Sequence, residues 1–258
     1  MSDLILNQPA PLEHPLRRYT PARVGLERAG SAIAIRDQLR FQLDHARTRD
    51  AVHNAVDLVS LLASLRDRNL EALTLDTAVS PAGPRSQYLR RPDLGRKLSP
   101  ASAAQLRQHP GTSAPDAVII IADGLSALAI DRHALLLLDA LIPHLAGWQL
   151  APVCVVRNAR VAIGDEIGHI LHAQLSILLI GERPGLSAPD SLGVYLTWQP
   201  RPGRTDAERN CISNIRLEGL GYDEAAARIA LYLNAARKQQ GTGFALKQPP
   251  SPNLPAIG

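Results

Sequence analysis

The residues best placed for chemistry lie in a turn in the C-terminal half of the chain. A short apolar run at residues 175–180 leads directly into Gly181-Glu182-Arg183-Pro184-Gly185. Such a run, bounded by a turn signal, predicts a strand that is buried on both faces. The glycines and the proline bend the chain sharply and leave Glu182 and Arg183 at the tip. Because ligands of open α/β sheets gather at the carboxyl ends of strands, this turn is a candidate binding site.

Other reactive side chains do not form a recognisable catalytic set. His169 and His172 are three residues apart, on neighbouring positions of a helix, but no third metal ligand accompanies them. Asp165 and Glu166 face different directions and are interpreted as first-turn charges favoured by the helix dipole. The sequence has no Gly-x-Gly-x-x-Gly after a predicted strand, no phosphate loop and no Gly-x-Ser-x-Gly elbow. We therefore expect the isolated chain to be inactive.

The elements that must position the turn alternate between strand and helix. Apolar runs predict strands over residues 116–122, 149–156, 175–180 and 194–197. Helical spacing predicts helices over residues 135–145, around Ile163 to Leu171, and after a cap at Asp223. This alternation requires right-handed crossovers and a mainly parallel sheet. We predict an α/β, doubly wound fold of the Rossmann or flavodoxin-like type.

A helical annex is predicted ahead of this fold. Ser31 can cap a first helix, whose inward face would carry Ile35, Leu39, Leu43 and Ala46. Asp50 can cap a second helix, with Val52, Val56, Val59, Leu62 and Leu65 inward. A short joint between two such helices predicts a hairpin or a bent pair.

The predicted division of the chain follows its prolines and glycines. Residues 1–21 and 248–258 each hold four prolines and are predicted to be an irregular arm and a loose tail. The break at residues 80–84 is the best internal boundary. It separates residues 1–84, an arm with a helical region, from residues 85–258, the α/β domain.

An arginine-rich segment follows the boundary, at residues 88–97. It holds Arg90, Arg91, Arg96 and Lys97, and it is predicted to be a loop. A solvated surface loop and a contact with a partner are equally consistent with its composition. Ser99-Pro100 then predicts a helix start, with Ser as the cap and Pro in the first position.

Composition favours a globular protein and argues against one class of function. The chain has 258 residues, 45% of them hydrophobic and 20% charged, which is typical of a globular protein with a substantial core. The net charge of +4 originates in residues 1–110, which hold 16 Lys/Arg against 11 Asp/Glu. So small a surplus, with only 3% aromatic residues, argues against nucleic-acid binding.

The two cysteines and the apolar runs bear on location. Cys154 lies in a predicted strand and is interpreted as a small core residue. Neither it nor Cys211 has a partner at metal-ligand spacing. No disulfide framework is expected, which favours a reducing, cytoplasmic compartment. No apolar run approaches the roughly 18 residues of a membrane span. Residues 1–21 lack the basic and apolar regions of a secretory signal.

Four pieces of the sequence, taken in order, carry a resemblance to a known family. They are Tyr88-Leu89-x-Arg91-Pro92-Asp93-Leu94-Gly95-Arg96, Asp123-Gly124-Leu125-Ser126, Gly181-Glu182-Arg183-Pro184-Gly185-Leu186 and Cys211-Ile212-Ser213-Asn214-Ile215. Each piece alone is weak, but the ordered combination is specific and spans much of the chain. In it the chain resembles the small, or light, subunit of ethanolamine ammonia-lyase.

The resemblance implies a role in an adenosylcobalamin-dependent carbon–nitrogen lyase, which converts ethanolamine to acetaldehyde and ammonia. In that family a large subunit, a (β/α)₈ barrel, binds the substrate, and the small subunit helps to hold cobalamin at the interface. The matching cofactor-binding residues here are Val161, Glu182 and Cys211. The resemblance also implies paired large and small subunits in a larger hetero-oligomer, and it raises the question of a bacterial microcompartment.

Two other functions compete with this one. The chain would be a non-catalytic interaction or scaffold module if the basic segment 90–97 were its main feature. It would be an independent small-molecule enzyme if the sheet carried its own catalytic site. Co-purification with a large barrel subunit favours the lyase, whereas turnover by the isolated chain favours the independent enzyme.

Overall fold

The computed structural model describes residues 14–20, 22–79, 83–109 and 114–246. Most of the predicted arm, residues 80–82 of the predicted break, and the tail 248–258 lie outside these residues. A 3₁₀ turn at Pro15–Arg18 and a two-stranded ribbon, β1 (Arg28–Ala29) with β2 (Ala32–Ile33), come first. Across the described residues, no helix combines the length and the apolar character that crossing a membrane requires.

A six-stranded sheet forms the centre of the molecule. Its strands are β3 (Ala72–Asp76), β4 (Ala117–Ala122), β5 (Val153–Arg157), β6 (Leu175–Gly181), β7 (Leu192–Trp198) and β8 (Arg209–Ile215). The spatial order is β3-β5-β4-β6-β7-β8. The four strands from β3 to β6 are parallel to one another, and β7 runs antiparallel to both β6 and β8.

This strand order confirms the predicted fold class. The order β5-β4-β6-β7-β8 corresponds to 2-1-3-4-5 of flavodoxin-like sheets, with β3 added at one edge. In such sheets the topological switch point lies between the first and third strands, which here are β4 and β6. A ligand is therefore expected where these two strands end.

The helices cover both faces of the sheet. They are α1 (Ile35–His53), α2 (Leu58–Asp67), α3 (Arg85–Arg90), α4 (Pro100–Gln108), α5 (Ala127–Ala129), α6 (Leu135–Leu141), α7 (Ile163–Ile170) and α8 (Tyr222–Gln239). A π turn, Ile130–Ala134, joins α5 to α6, and a 3₁₀ turn, Ile142–Leu145, extends α6. Further 3₁₀ turns lie at Leu94–Arg96, Asp206–Glu208 and Gly243–Ala245.

Alternating side chains of each strand feed two cores. In β4, Ile119 and Ile121 join a core with residues of α2, α6 and α8, whereas Val118 and Ile120 join a second core with α4 and α7. All of β4 and β6 is buried, as the unbroken apolar runs predicted. Buried Cys154 lies in the second core, which confirms its interpretation as a core residue.

Two N-terminal helices with a short joint are present as predicted, but the joint lies at residues 54–57 and the predicted cap at Asp50 is wrong. Asp50 lies inside α1, where its carbonyl accepts a hydrogen bond from Asn54 N at 2.9 Å. The second helix is capped instead by Asp57, whose Oδ1 accepts from Ser60 N at 3.1 Å. A capping side chain starts a helix only where its own backbone leaves the helical region, and Asp57 does so with ψ of 86°.

The predicted inward face of α1 is also wrong. Ile35, Leu39 and Leu43 are 74%, 59% and 50% exposed. Within α1, Ala51 is the buried residue among those described. The helical spacing is real, but the described part of the chain does not cover this side of the helix.

Two other elements differ from the prediction. β8, which carries Cys211, was not predicted because its alternation is interrupted by polar residues. The last helix begins at Tyr222 after Gly221, so Asp223 lies in its first turn and is not its cap. The predicted division at residue 84 stays a prediction, although α2 and β3, which precede it, pack into the main core and sheet.

Candidate functional site

An open cavity of about 390 Å³ lies at the switch point between β4 and β6. The loops after β4, β5 and β6 contribute most of its walls, and β7 closes one side. The lining residues are Gly124, Leu125, Arg160, Val161, Ile180, Gly181, Glu182, Arg183 and Tyr195. We call this cavity the switch-point groove.

Two glycines allow the floor of the groove to form. Gly124 has φ of +53°, and a Cβ there would lie 2.2 Å from the carbonyl oxygen of Gly181. A Cβ on Gly181 would lie 2.1 Å from the carbonyl oxygen of Ser126. Leu125 N donates to Gly181 O at 3.0 Å, which ties the two turns together. Larger residues would push the ends of β4 and β6 apart.

Glu182 is held rigidly in the wall of the groove. Its backbone N donates to Ser191 O at 2.9 Å, and its carboxylate Oε2 accepts from Ser191 Oγ and, at 3.2 Å, from Asn214 N. Both of these carboxylate bonds end on Oε2, so Oε1 keeps its acceptor capacity. Gly193 makes room for the carboxylate, since a Cβ there would lie 2.8 Å from Oε1.

Glu182 and Arg183 are adjacent at the tip of the turn, but the geometry does not support an ion pair between them. Within the described residues, neither Glu182 nor Arg183 takes part in an ion pair within 4.0 Å. Arg183 is exposed at the tip of the turn, as the sequence predicted. The Glu182 side chain bends the other way, toward the start of β7 and the end of β8.

Val161 lies on the opposite side of the groove, two residues before α7. Gly164 N donates to its carbonyl oxygen at 3.2 Å, which fixes the first turn of the helix. The residue is half-buried and borders the second core. Val161 therefore presents an apolar surface to the groove, and Glu182 faces it with an acceptor.

Cys211 lies near the groove and does not line it. It is exposed on β8 and is paired in register with Tyr195 of β7, whose side chain does line the groove. Desolvation raises the pKa of the Cys211 thiol, and the Glu182 charge raises it further. Burial likewise raises the pKa of Tyr195. Both groups are neutral hydrogen-bonding groups at pH 7, and neither is an activated nucleophile.

A network of fixed polar groups lies behind the groove. Arg85 donates to Asp123 Oδ2 at 2.7 Å, to Asn158 Oδ1 at 3.0 Å and to the carbonyl oxygens of Val52 and Gly124 at 2.6 and 2.8 Å. Desolvation raises the pKa of buried Asp123, and the Arg85 charge opposes that rise. The network joins α1, α3 and the turns after β4 and β5, and it serves to position those turns.

The arginine-rich segment packs against the same region. The prediction of a loop is wrong for its first part, because Tyr88 and Arg90 belong to α3. Tyr88 is fully buried, and its hydroxyl lies 2.9 Å from Gly124 O and 2.8 Å from Ala159 O. A Cβ on Gly95 would lie 2.7 Å from Asn158 O, which explains that glycine.

The four basic side chains of the segment point away from these turns, into solvent. All of them are exposed. Arg91 pairs with Asp93 at 2.7 Å, with both side chains 59% exposed. The segment therefore has a packed inner side and a cationic outer side.

Asp165 and Glu166 lie in the first turn of α7, as predicted, and each also makes a contact that the sequence did not indicate. Asp165 is buried and forms a bidentate pair with Arg209 of β8, at 2.5 and 2.7 Å. Glu166 accepts from Leu98 N at 2.8 Å. These contacts tie α7 to β8 and to the residue that follows the arginine-rich segment.

The groove has the chemistry of a binding site. Over the residues that the structure describes, no group of three or more His, Cys, Asp or Glu side chains could hold a metal ion. Sequence patterns did not mark four residues that line the groove or hold Glu182, namely Arg160, Tyr195, Ser191 and Asn214. Only Tyr195 could have been found, because it lies in the predicted strand 194–197, where alternation places its side chain on the same face as its neighbours at i ± 2. The other three residues are identified only by their contacts with residues distant in sequence.

The fold and the groove together define an α/β protein with a candidate ligand-binding groove at its switch point. The sequence matches the family "Ethanolamine ammonia-lyase light chain (EutC)" over residues 11–247. The chain belongs to this family, the small subunit of an adenosylcobalamin-dependent carbon–nitrogen lyase.

Several relatives share about half of its residues. The ethanolamine ammonia-lyase small subunit of Pseudomonas paraeruginosa is 51% identical over 237 residues, which cover 90% of this chain and 86% of that protein. Those of Pseudomonas fluorescens and Xanthomonas campestris pv. campestris are each 52% identical, over 238 and 240 residues. These alignments cover 90% of this chain and 85% and 86% of the relatives.

The lining of the groove fits the cofactor of this enzyme. Cobalamin carries a ring of neutral carboxamides, each with a carbonyl acceptor and N–H donors. The groove supplies an acceptor in Glu182, donors in Arg160, Arg183 and Tyr195, and apolar surface in Val161. Arg160 lines the groove, and its buried Nε has no hydrogen-bond partner among the described residues.

Proposed function

We propose that this chain holds adenosylcobalamin between its switch-point groove and the large subunit, through Val161, Glu182 and Cys211. The observation that carries the proposal is the fixed carboxylate of Glu182, which keeps one oxygen for a donor from outside the chain. When bound, the cofactor supplies the radical that the conversion of ethanolamine to acetaldehyde and ammonia requires. The large subunit, a (β/α)₈ barrel, binds ethanolamine.

Each residue has a distinct part in this proposal. Glu182 Oε1 accepts a hydrogen bond from a corrin carboxamide, and Val161 packs against the apolar rim of the macrocycle. Cys211 makes a soft contact at the edge, beside Tyr195. Val161 is half-buried and Cys211 is exposed, which supports these contacts because neither side chain is enclosed in the core.

The surface toward the large subunit includes the outer side of segment 90–97 and the exposed side of α1. α1 approaches the turns that border the groove: Val52 O accepts from Arg85 at 2.6 Å, and Thr48 Oγ1 lies 3.3 Å from Gly185 O. A partner that covers the cofactor would therefore lie beside both elements. The exposure of Leu39 and of Arg96 supports a covered surface there.

The finer features of the assembly follow the same resemblance. Residues 85–258 form the cofactor- and partner-binding part, and residues 1–84 add the arm and helical region. Large and small subunits pair within a larger hetero-oligomer. The complex lies in the cytoplasm, within a bacterial microcompartment where the source organism builds one, and the absence of a disulfide framework supports a reducing compartment.

Reconstitution tests the proposal most directly. The purified chain, a large subunit from the same source and adenosylcobalamin are mixed, and acetaldehyde release is measured. We expect turnover from the full mixture and none from either subunit alone. Ethanolamine-dependent acetaldehyde release by the rigorously purified single chain would refute the division of labour.

Glu182→Gln tests the residue that carries the proposal. It keeps the size of the side chain and one acceptor oxygen, and we expect it to weaken cobalamin binding roughly three- to tenfold, or about 0.7–1.4 kcal/mol. Glu224→Gln, an exposed carboxylate on α8, is the matched control and should bind normally. Because Glu182 also accepts two internal hydrogen bonds, Glu182→Ala should lower the stability of the cofactor-free chain by about 1 kcal/mol. Normal affinity in Glu182→Ala would contradict the assignment.

A further inference from the structure

We infer that Arg160 binds an acceptor oxygen of the cofactor and is a specificity-determining residue of the groove. This inference rests on the proposed function and adds a cationic donor to it. The acceptor is a corrin carboxamide carbonyl or the phosphodiester of the nucleotide loop, since both present oxygen atoms to a guanidinium.

The backbone of Arg160 is fixed on both sides. Its N–H donates to Gly95 O at 2.7 Å, and its carbonyl oxygen accepts from Ile163 N at 2.9 Å. The first contact ties it to the arginine-rich segment and the second to the start of α7. The side chain therefore leaves a rigid point at the carboxyl end of β5.

The side chain is fixed as well, by an aromatic ring. The guanidinium carbon lies 4.4 Å from the centroid of the Tyr88 ring, within the range of a cation–π contact. Tyr88 is itself fully buried, and its single hydroxyl proton lies between two carbonyl acceptors, Gly124 O and Ala159 O. Gly95 leaves space for the stem, since a Cβ there would lie 3.1 Å from Arg160 Cγ.

A second arginine on the same ring provides the contrast. Arg85 lies 5.0 Å from the Tyr88 centroid, and its guanidinium makes four hydrogen bonds, one of them to Asp123. For the Arg160 guanidinium we find no hydrogen bond and no ion pair within the described residues, and its Nε is buried. Arg85 uses four of its five N–H donors within the fold, whereas no described residue accepts from the guanidinium of Arg160, which lines the groove.

Arg160 and Glu182 together match the chemistry of a carboxamide. Both line the same cavity, one with donors and the other with an acceptor. A primary carboxamide needs an acceptor for its N–H groups and a donor for its carbonyl oxygen. The nearest carboxylate in the network, Asp123, is already paired with Arg85 and does not neutralise Arg160.

The test compares Arg160→Met with Arg107→Met in the assembled complex. Met keeps the length and packing of the stem over Tyr88 but removes every donor, and Arg107 is an exposed arginine of α4 that does not line the groove. Binding of cyanocobalamin is measured by spectral titration, so the readout does not depend on turnover. We expect Arg160→Met to weaken binding roughly tenfold or more and Arg107→Met less than about twofold.

Dicyanocobinamide, which lacks the nucleotide loop, identifies the acceptor. An equal loss for both ligands assigns the contact to a corrin carboxamide, and a loss confined to the cobalamin assigns it to the phosphodiester. Arg160→Lys, which keeps the charge, should recover part of the affinity, and melting of each cofactor-free variant monitors folding. Normal binding by a folded Arg160→Met would make Arg160 a stacking residue only. Failure of the unmodified complex to bind cobalamin would instead overturn the proposed function.

Discussion

Helices α1 and α8 have similar lengths, 19 and 18 residues, and both carry apolar side chains at helical spacing. α8 buries its apolar side against β7, β8 and α6, with Ile229 and Leu233 fully inaccessible. α1 leaves Ile35 and Leu39 mostly exposed. The comparison teaches that helical spacing identifies an amphipathic helix, whereas the neighbours in the fold decide which side is covered.

A comparison of ion pairs in the two regions should give the largest difference. Asp165 and Arg209 are 3% and 2% exposed, whereas Glu27 and Arg36 of the N-terminal region are 46% and 54% exposed. Asp165→Asn leaves the buried Arg209 guanidinium with only the longer, 3.4 Å ion pair to exposed Asp206, and we expect a loss of about 3–5 kcal/mol in the free energy of unfolding. Glu27→Gln should cost at most about 1 kcal/mol. Urea denaturation of the isolated chain measures both, and equal losses would break the comparison.

Matched leucines in the two helices give the next largest difference. Leu233→Ala opens a cavity in the core beneath α8, and we expect a loss of about 2–5 kcal/mol. Leu39→Ala should change the free energy of unfolding by less than about 0.5 kcal/mol, because the side chain is already in water and Ala is a good helix former. A large loss from Leu39→Ala would mean that α1 is covered in solution, for example by a second copy of the chain.

The same reasoning distinguishes the features that could be predicted from the sequence from those that could not. The strands β4 and β6 were predictable because a strand buried on both faces is apolar throughout, and the turn at Glu182 follows from its glycines and proline. Ser191 and Asn214, which hold Glu182, come from distant segments, and no local pattern marks them. The Asp165–Arg209 pair spans 44 positions, so the helix dipole was the only local explanation for Asp165.

For the exposed outer side of segment 90–97, the comparison is between association with the large subunit and the unfolding of the isolated chain. Arg91→Glu combined with Arg96→Glu should weaken association with the large subunit by about 1–3 kcal/mol if those contacts are desolvated. The unfolding of the isolated chain should change little, because both side chains are exposed and Arg91 pairs only with Asp93 in the described structure. Arg66→Glu combined with Arg107→Glu, at exposed positions on α2 and α4, controls for net charge. Unchanged sedimentation of the mixture would count against an interface at this segment.

The two cysteines show the same contrast between a buried and an exposed position in single side chains. Cys154 lies in the core, where desolvation raises the pKa of its thiol to about 12. Cys211 is exposed on β8, with a thiol pKa that is raised as well. The thiolate is the reactive form, so alkylation of the native chain should occur at Cys211 alone, slowly at pH 7 and faster at higher pH. Mass spectrometry of the digested protein measures both sites, and native labelling of Cys154 would contradict its burial.

Cys211 should lose this reactivity when the cofactor and the large subunit cover it. We expect slower alkylation of Cys211 in the cobalamin-loaded complex than in the free chain. Cys211→Ser should retain measurable turnover, because a thiol with a raised pKa beside neutral Tyr195 makes a contact and does not act as a nucleophile. Complete loss of turnover in Cys211→Ser, with cobalamin still bound and the complex intact, would assign the thiol a chemical step that its surroundings do not support.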